Sequence, residues 1–349
     1  MKILITGGGG FIGSNAAEYF AGKGHDVVCY DNLSRAALLR KTVNLNHNWS
    51  YLKKLKKVKL VVGDVRDFNK LKSAAKGVDV IIHTAGQTAV TTSIIDPRTD
   101  FEVNMIGAFN VLEVARLSKK KPIIIDCSTN KVYGSRVNEV GLLEGKNRYR
   151  FERKFKNGIS ESFLNDHCEH TPYGCSKFAA DIYMQDYARI YGLKVGIFRM
   201  SCIYGERQFG VEDQGWVMWF VIATLLGKPL TIFGDGKQVR DILYIGDLIR
   251  AYELFIESKI DFGVFNMGGG SKNTISLIEL ISLLKGITSK KSLISFQSWR
   301  PSDQKVYISD ISKAMEQLDW VPKIDPKEGV GRLVKWAGKN LHLFKENSS

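Results

Sequence analysis

Tyr173 and Lys177 stand four residues apart in Thr171-Pro172-Tyr173-Gly174-Cys175-Ser176-Lys177. On a helix that spacing sets a phenol and an ammonium on one face. A neighbouring cation favours the phenolate, so the expectation is a tyrosine brought down from about 10 toward the working range. Such a pair is a general base, and Lys177 can also hold a ribose. The pattern is common by chance and carries little alone. Upstream, Cys127-Ser128-Thr129-Asn130 closes an apolar run, which places the Thr129 hydroxyl at a strand end. A second constellation lies near the start of the chain. Thr6-Gly7-Gly8-Gly9-Gly10-Phe11-Ile12-Gly13 follows a strand-like run and opens a helix. Gly7, Gly10 and Gly13 allow a tight turn and close approach of a pyrophosphate, and the first helical N–H groups, at Phe11, Ile12 and Gly13, favour an anion.

Eighteen residues past Gly13 comes Tyr30-Asp31-Asn32. A carboxylate there accepts hydrogen bonds from ribose hydroxyls and repels a 2′-phosphate, which favours NAD over NADP. Arg35, close by, weakens that preference. Asn32, Ser34 and Arg35 flank the same ribose position. Asp64 and Val65 follow the third strand, where an adenine amino group is held. Ala85, Gly86 and Gln87 follow the fourth, at a strand end where a dinucleotide lies. His83, in the same run, reads as a packed histidine and not as a ligand.

These residues need a scaffold. Apolar runs at Ile3–Ile5, Val27–Tyr30, Val58–Val62, Val78–Ile82, Ile123–Cys127 and Val195–Phe198 read as strands, with helical stretches such as Ile12–Phe20 and Phe101–Leu117 between them. In the latter, Phe101, Met105, Ala108, Phe109 and Leu112 form one buried stripe at helical spacing. Alternating strands and helices predict an α/β fold, a Rossmann-type doubly wound parallel sheet. From about Tyr204 the pattern loosens into short strands, glycine turns and helices such as Ser276–Lys285. The expected division is a nucleotide-binding domain over residues 1–203 and a smaller C-terminal α/β lobe over 204–349, with the chain crossing back to the first domain.

With 349 residues, 44% hydrophobic and 25% charged, the composition is that of a folded protein and excludes a disordered chain or a disulfide miniprotein. The net charge of +14 raises nucleic acid as a partner. No helix-turn-helix, zinc-finger or RNA-binding signature supports it, and the densest run, Lys53, Lys54, Lys56, Lys57 and Lys59, reads as a solvated helix face. Five cysteines without a CxxC pair read as free thiols, and no metal-ligand spacing occurs. The start of the chain carries no signal-peptide pattern, and the longest apolar stretch, Val217–Leu226, is too short for the roughly 20 residues of a membrane span. The expectation is a cytoplasmic protein with no membrane partner.

Glycine loop, Asp31, Thr129 and the Tyr173/Lys177 pair, in this order, resemble the extended short-chain dehydrogenase/reductases, the nucleotide-sugar epimerases and dehydratases. The resemblance covers nearly the whole chain. It implies Thr129, Tyr173 and Lys177 as the catalytic triad, tightly bound NAD, and a C-terminal lobe for a nucleoside diphosphate sugar. Asn104 and Met200 complete the implied cofactor set. The dehydratases of this family carry Asp-Glu after the threonine, an acid and a base for eliminating water. Asn130-Lys131 stands here instead, which leaves an epimerase or a simple reductase.

Longer stretches resemble the family's branch that inverts C2 of a CDP-linked 3,6-dideoxyhexose, CDP-paratose to CDP-tyvelose. They are Ala85–Gln87 with Thr91–Ser93, Ser128–Gly134, Tyr173–Lys177, Tyr204–Phe209, Asp213–Val217 and Gly236–Asp241. The rivals are a UDP-hexose 4-epimerase and, in another class, a non-catalytic NAD-binding regulator. Arg240 and Arg300 match positions the family uses for the diphosphate, with Arg207 as a third, since arginine grips such groups bidentately. Gln238 and Asp303 accompany them, while Gln87, Thr92, Asn130 and Ser201 are placed at the sugar. Two departures stand out: Asp126-Cys127 in place of small or hydroxyl residues, and the basic stretch Arg148–Lys156. The family pairs the Phe101–Leu117 and Gly174–Tyr191 helices across a two-fold axis, so the resemblance implies a homodimer. Tyr183, Tyr187 and Ile190 suit that face.

Overall fold

The computed structural model describes residues 1–35, 46–212, 214–300 and 303–344. Asp213 of the Asp213–Val217 stretch lies outside these residues. The chain divides into two compact units. The first comprises Met1–Val132, Thr171–Arg199 and Ile249–Phe265; the second comprises Tyr133–His170, Met200–Leu248 and Asn266–Ser349.

Seven strands build the sheet of the first unit: β1 (Lys2–Thr6), β2 (Asp26–Asp31), β3 (Val58–Val62), β4 (Val80–His83), β5 (Ile123–Thr129), β6 (Val195–Met200) and β7 (Phe262–Met267). Their order is β7-β6-β5-β4-β1-β2-β3, and the pairings among β1 to β5 are parallel. The chain reverses direction of travel across the sheet between β3 and β4. Dinucleotides bind at such a switch point, beyond the carboxyl ends of the strands. The central strands β1, β4 and β5 are largely apolar because both faces are covered: Ile3, Leu4, Ile5, Ile81, Ile82, Ile124 and Ile125 are all fully buried. On one face Leu4, Val28, Ile81 and Ile124 pack against Ala108, Val111, Leu112, Ala180 and Met184. Helices therefore clothe a parallel sheet, as the alternation of runs predicts.

The stripe expected over Phe101–Leu117 needs one correction. Met105, Ala108 and Leu112 are buried, but Phe101 is 49% exposed. A π-helical turn at Glu102–Ile106 separates Pro97–Phe101 from the Gly107–Arg116 helix. Its wider turn breaks the 3.6-residue phase, and Phe101 swings off the buried face. The lysine run is solvated as expected, with all five lysines exposed, but it is not a helix face. Lys53 caps the His47–Leu52 helix, and the others lie in the following turn and on β3.

In the second unit, the Val239–Tyr244 strand is central. It pairs in parallel with Cys202–Tyr204 and Val306–Tyr307 and antiparallel with Thr274–Ser276. The helix expected at Ser276–Lys285 runs Leu277–Thr288, with Ser276 outside it as N-cap. A capping box closes its start: Glu279 N donates to Ser276 Oγ and Ser276 N to the Glu279 carboxylate. Asp241 is fully buried and ties three segments together, accepting hydrogen bonds from Ser201 Oγ (2.5 Å), Ser309 N (3.1 Å) and Gly270 N (3.3 Å). The Val217–Leu226 stretch lies in the Trp216–Leu226 helix, and among the described residues no helix is long and apolar enough to cross a membrane.

Candidate active site and nucleotide cradle

The glycine loop leaves β1 with Gly7 at φ +70°, a left-handed conformation that suits glycine. A Cβ there would lie 2.6 Å from Ala85 N, and one on Gly13 would lie 2.3 Å from Gly7 O. The absence of side chains thus lets the loop close on itself and on the strand-end segment after β4. Gly10 caps the Phe11–Gly22 helix with no side-chain hydrogen bond. The N–H groups of Phe11, Ile12 and Gly13 are left without intrahelical acceptors, at the positive end of the helix dipole. That is a fitting donor set for a pyrophosphate. Gly13→Ala is expected to weaken NAD binding at least about tenfold, read by fluorescence titration, because the three nearest atoms the new methyl meets, in Gly7 and Gly8, are all backbone and the loop must move.

Asp31 ends β2, and its carboxylate accepts from Gly9 N (2.9 Å) and Leu33 N (2.7 Å). Burial pushes its pKa up, while those two N–H groups and the Arg35 charge pull it back. A fixed carboxylate beside the glycine loop suits a diol. Ser34 N donates to Asn32 Oδ1, and Asn32 Nδ2 reaches Asp64 Oδ2 at 2.8 Å. Arg66 also grips Asp64, holding its carboxyl down at about 2. Val65 is core, packed against Gly107.

Thr129, Tyr173 and Lys177 come together in the first unit. Thr129 is the last residue of β5, and Tyr173 and Lys177 share a face of the Thr171–Tyr191 helix, which packs on that strand. Tyr173 N donates to Ser93 Oγ at 3.2 Å, pinning the start of the helix. The expected lowering of Tyr173 does not hold. Burial raises its pKa above the ordinary value, and Lys177 and Thr129, which favour the phenolate, offset this only in part. Desolvation outweighs one nearby cation here because the phenol is almost fully enclosed.

Gln87, Asn104 and Asp100 form a buried network that no single motif announced. Asn104 exchanges hydrogen bonds with the Gln87 backbone, N to Oδ1 at 2.9 Å and Nδ2 to O at 3.1 Å. Asp100 accepts from Gln87 Nε2 (3.1 Å), Asn104 Nδ2 (3.1 Å) and Ser176 Oγ (2.5 Å). The Gln87 amide also bonds Ala89, so this side chain braces the segment after β4. Ser176 precedes Lys177, which makes the network a support for the helix that carries Tyr173 and Lys177. Thr92 and Asn130 are half-buried, with Asn130 Oδ1 3.4 Å from Thr129 Oγ1, and Ala85 and Gly86 line the strand end beside Gly7.

The remaining predicted residues belong to the second unit. Arg240 Nη2 donates to Asp303 Oδ1 at 2.9 Å and Nη1 to Val239 O. Arg300 stacks its guanidinium 3.9 Å above the Phe233 ring. Gln238 Nε2 donates to Phe233 O at 2.7 Å. Arg207 is buried at φ +62°, Ser201 is held by Asp241, and Met200 ends β6 half-buried. Pro301 and Ser302 lie outside the described residues. From the basic stretch, Arg148 is committed to Glu279 and Thr274. Among the described residues no cluster of His, Cys, Asp and Glu could hold a metal.

A switch-point cradle, a carboxylate at the end of β2 and a Thr–Tyr–Lys cluster define a nucleotide-dependent oxidoreductive site. Residues 3–268 match the NAD dependent epimerase/dehydratase family, and the chain belongs to it, with NAD as its cofactor. Among particular relatives, it is 43% identical over 345 residues to CDP-paratose 2-epimerase of Salmonella typhi, covering 96% of this chain and 99% of that one. It is 32% identical over 340 residues to a putative UDP-glucose 4-epimerase of Methanocaldococcus jannaschii, covering 97% and 99%. The structure of Thermotoga maritima UDP-glucose 4-epimerase with UDP-glucose superimposes with a TM-score of 0.80 at 29% identity, over 98% of this chain and all of that one. So does Bacillus cereus UDP-glucuronic acid 4-epimerase in complex with UDP-glucuronic acid and NAD, at 0.80 and 28%, over 97% of this chain and 100% of that one.

Proposed function

We propose that this protein is an NAD-dependent 2-epimerase that converts CDP-paratose to CDP-tyvelose. The observation that carries the reading is the 43% identity to CDP-paratose 2-epimerase, sustained over the whole of that enzyme and so over the second unit as well. The C2–H of the sugar has no neighbouring ketone and is not acidic enough for direct deprotonation, so inversion runs through a 2-keto sugar. Tyr173 takes the proton of the C2 hydroxyl as C2 is oxidised and returns it when the other face is reduced. Thr129 hydrogen-bonds the same oxygen, and the Lys177 ammonium favours the phenolate. Bound NAD would supply the hydride acceptor and donor. No net redox change results.

Gly7, Gly10, Phe11, Ile12 and Gly13 hold the pyrophosphate of NAD, Asp31 its ribose, and Asp64 and Val65 its adenine. Arg240, Arg300 and Arg207 take the substrate diphosphate, with Gln238 and Asp303 beside them. Thr92, Asn130 and Ser201 are the sugar contacts of this reading, while the Gln87 side chain is spent on Ala89 and Asp100. A homodimer goes with the reading: Phe101, Ile106, Ile182, Tyr183 and Ile190 are large apolar residues exposed on the two helical segments concerned. Tyr187, in contrast, is buried and donates to Glu113. Free cysteines suit a cytoplasmic place, and the product suits the building of a lipopolysaccharide-type glycan.

The test is incubation of the purified protein, without added reductant, with CDP-paratose and separately with UDP-glucose, reading product stereochemistry by NMR. Inversion at C2 of CDP-paratose is expected. Inversion of UDP-glucose at C4 instead would keep the mechanism and replace the substrate. No turnover of either would remove the reading.

A further inference from the structure

Lys177 is 6% exposed, and among the described residues no hydrogen bond or ion pair holds its ammonium. A buried cation without a counter-charge sheds its proton. Three buried carboxylates act on Lys177, and two of them are already committed. Asp181 accepts from Arg199 Nε (2.9 Å) and Nη2 (3.0 Å), Ser128 Oγ (2.8 Å) and Gln185 Nε2 (2.8 Å). Asp100 is held by Gln87, Asn104 and Ser176. The third, Asp126, is fully buried, and neither of its oxygens has a hydrogen-bond partner.

Its orientation follows from the strand. Asp126 and Ser128 are two apart on β5 and share a face. Ser128 bonds Asp181 of the Thr171–Tyr191 helix, so that face looks onto the stripe formed by Tyr173, Lys177 and Asp181. Of the two neighbouring strands, β6 carries Arg199, whose guanidinium is committed to Asp181, and β4 offers no substitute cation. His83 is the register partner of Asp126, is bonded to Thr6 Oγ1 at 2.7 Å, and is driven to about 3 by burial and then by the Lys177 charge. Cys127 projects to the opposite side, against Tyr252 at 3.0 Å.

We propose that Asp126 is a positioning residue whose carboxylate is the counter-charge that keeps the buried Lys177 ammonium protonated beside Tyr173. The inference rests on the reading of Tyr173 and Lys177 as the acid–base pair. Burial pulls Lys177 down; Asp126 leads the groups that push it back, followed by Tyr173, Cys127 and Asp181, and it ends above its ordinary value. Burial also raises Asp126, against the pull of Lys177, to about 6. It is therefore ionised at neutral pH and above, where the reaction needs it, and loses its charge as the pH falls through about 6.

The experiment compares the wild-type holoenzyme with Asp126→Asn and Asp126→Leu, one polar and one apolar replacement of similar size. Trace labelling of amines with acetic anhydride between pH 7 and 11, read peptide by peptide by mass spectrometry, gives the midpoint at which Lys177 becomes reactive without any need for turnover. Both variants are expected to lower that midpoint by about one pH unit or more, a tenfold gain in uncharged amine at fixed pH. A midpoint unchanged in both would overturn the proposal, as would a fall in the leucine variant alone, which would be a packing effect. If Tyr173→Phe retained full turnover, the acid–base reading of Tyr173 would fail, and the labelling would still decide whether Asp126 holds the charge on Lys177.

Discussion

Tyr173→Phe is expected to cut turnover of CDP-paratose by about three orders of magnitude, the usual worth of a positioned general acid–base group. NAD affinity and thermal stability should stay near wild type. The ring is buried and remains in the variant, and its backbone N–H still meets Ser93 Oγ. What disappears is the hydroxyl that, in the proposed mechanism, exchanges a proton with C2–OH. Because burial holds that hydroxyl above its ordinary pKa despite Lys177 and Thr129, the wild-type free enzyme carries a neutral phenol near pH 7. Two measurements check the prediction together: the single-turnover rate by NMR, and retention of NAD after gel filtration. A variant that loses NAD along with activity would place Tyr173 in cofactor binding instead.

The second large effect falls on stability. Asp181→Asn should destabilise the protein by about 3–5 kcal/mol, lowering the melting temperature by roughly ten degrees. Arg199 and Asp181 form a pair with side-chain exposures of 4% and 0%. Removing the negative partner strands the guanidinium in a dry interior and leaves Ser128 and Gln185 with a weaker acceptor. The loss measures the cost of an orphaned charge more than the worth of the pair. Replacing both, as Asp181→Leu with Arg199→Met, should therefore recover a large part of it. Differential scanning calorimetry of the single and double variants separates the two quantities. A double variant as unstable as the single one would assign the pair a structural role beyond charge neutralisation.

Much of this was legible in the chain because it is local. Strands β1 to β6 each coincide with one of the apolar runs, β4 beginning at Val80, two residues after the start of its run, and the glycine loop and Tyr-x-x-x-Lys need only their own neighbours to declare themselves. The seventh strand, Phe262–Met267, escaped: its glycine and asparagine interrupt the apolar pattern, and its place at the sheet edge is set by β6. Helical periodicity identified the Phe101–Leu117 segment but not the π turn within it, which displaces Phe101 without altering the pattern of residue types. The support of the site was hidden for a different reason. Gln87, Asp100, Asn104 and Ser176 meet through contacts spanning up to 76 residues, and each is an ordinary polar residue in its own segment. Asp181 was within reach of sequence reasoning, since it stands one further turn along the stripe of Tyr173 and Lys177. The direction of the Tyr173 shift was not, because it depends on how completely the phenol is enclosed.

The proposed mechanism inverts C2 by removal and return of the same hydrogen, with Tyr173 moving only the hydroxyl proton. Conversion of CDP-paratose in deuterium oxide by the NAD-loaded protein tests it most directly, with proton NMR of the product at C2. CDP-tyvelose carrying protium at C2 is expected, since that hydrogen never passes through solvent. Deuterium at C2 would show exchange with water and contradict it.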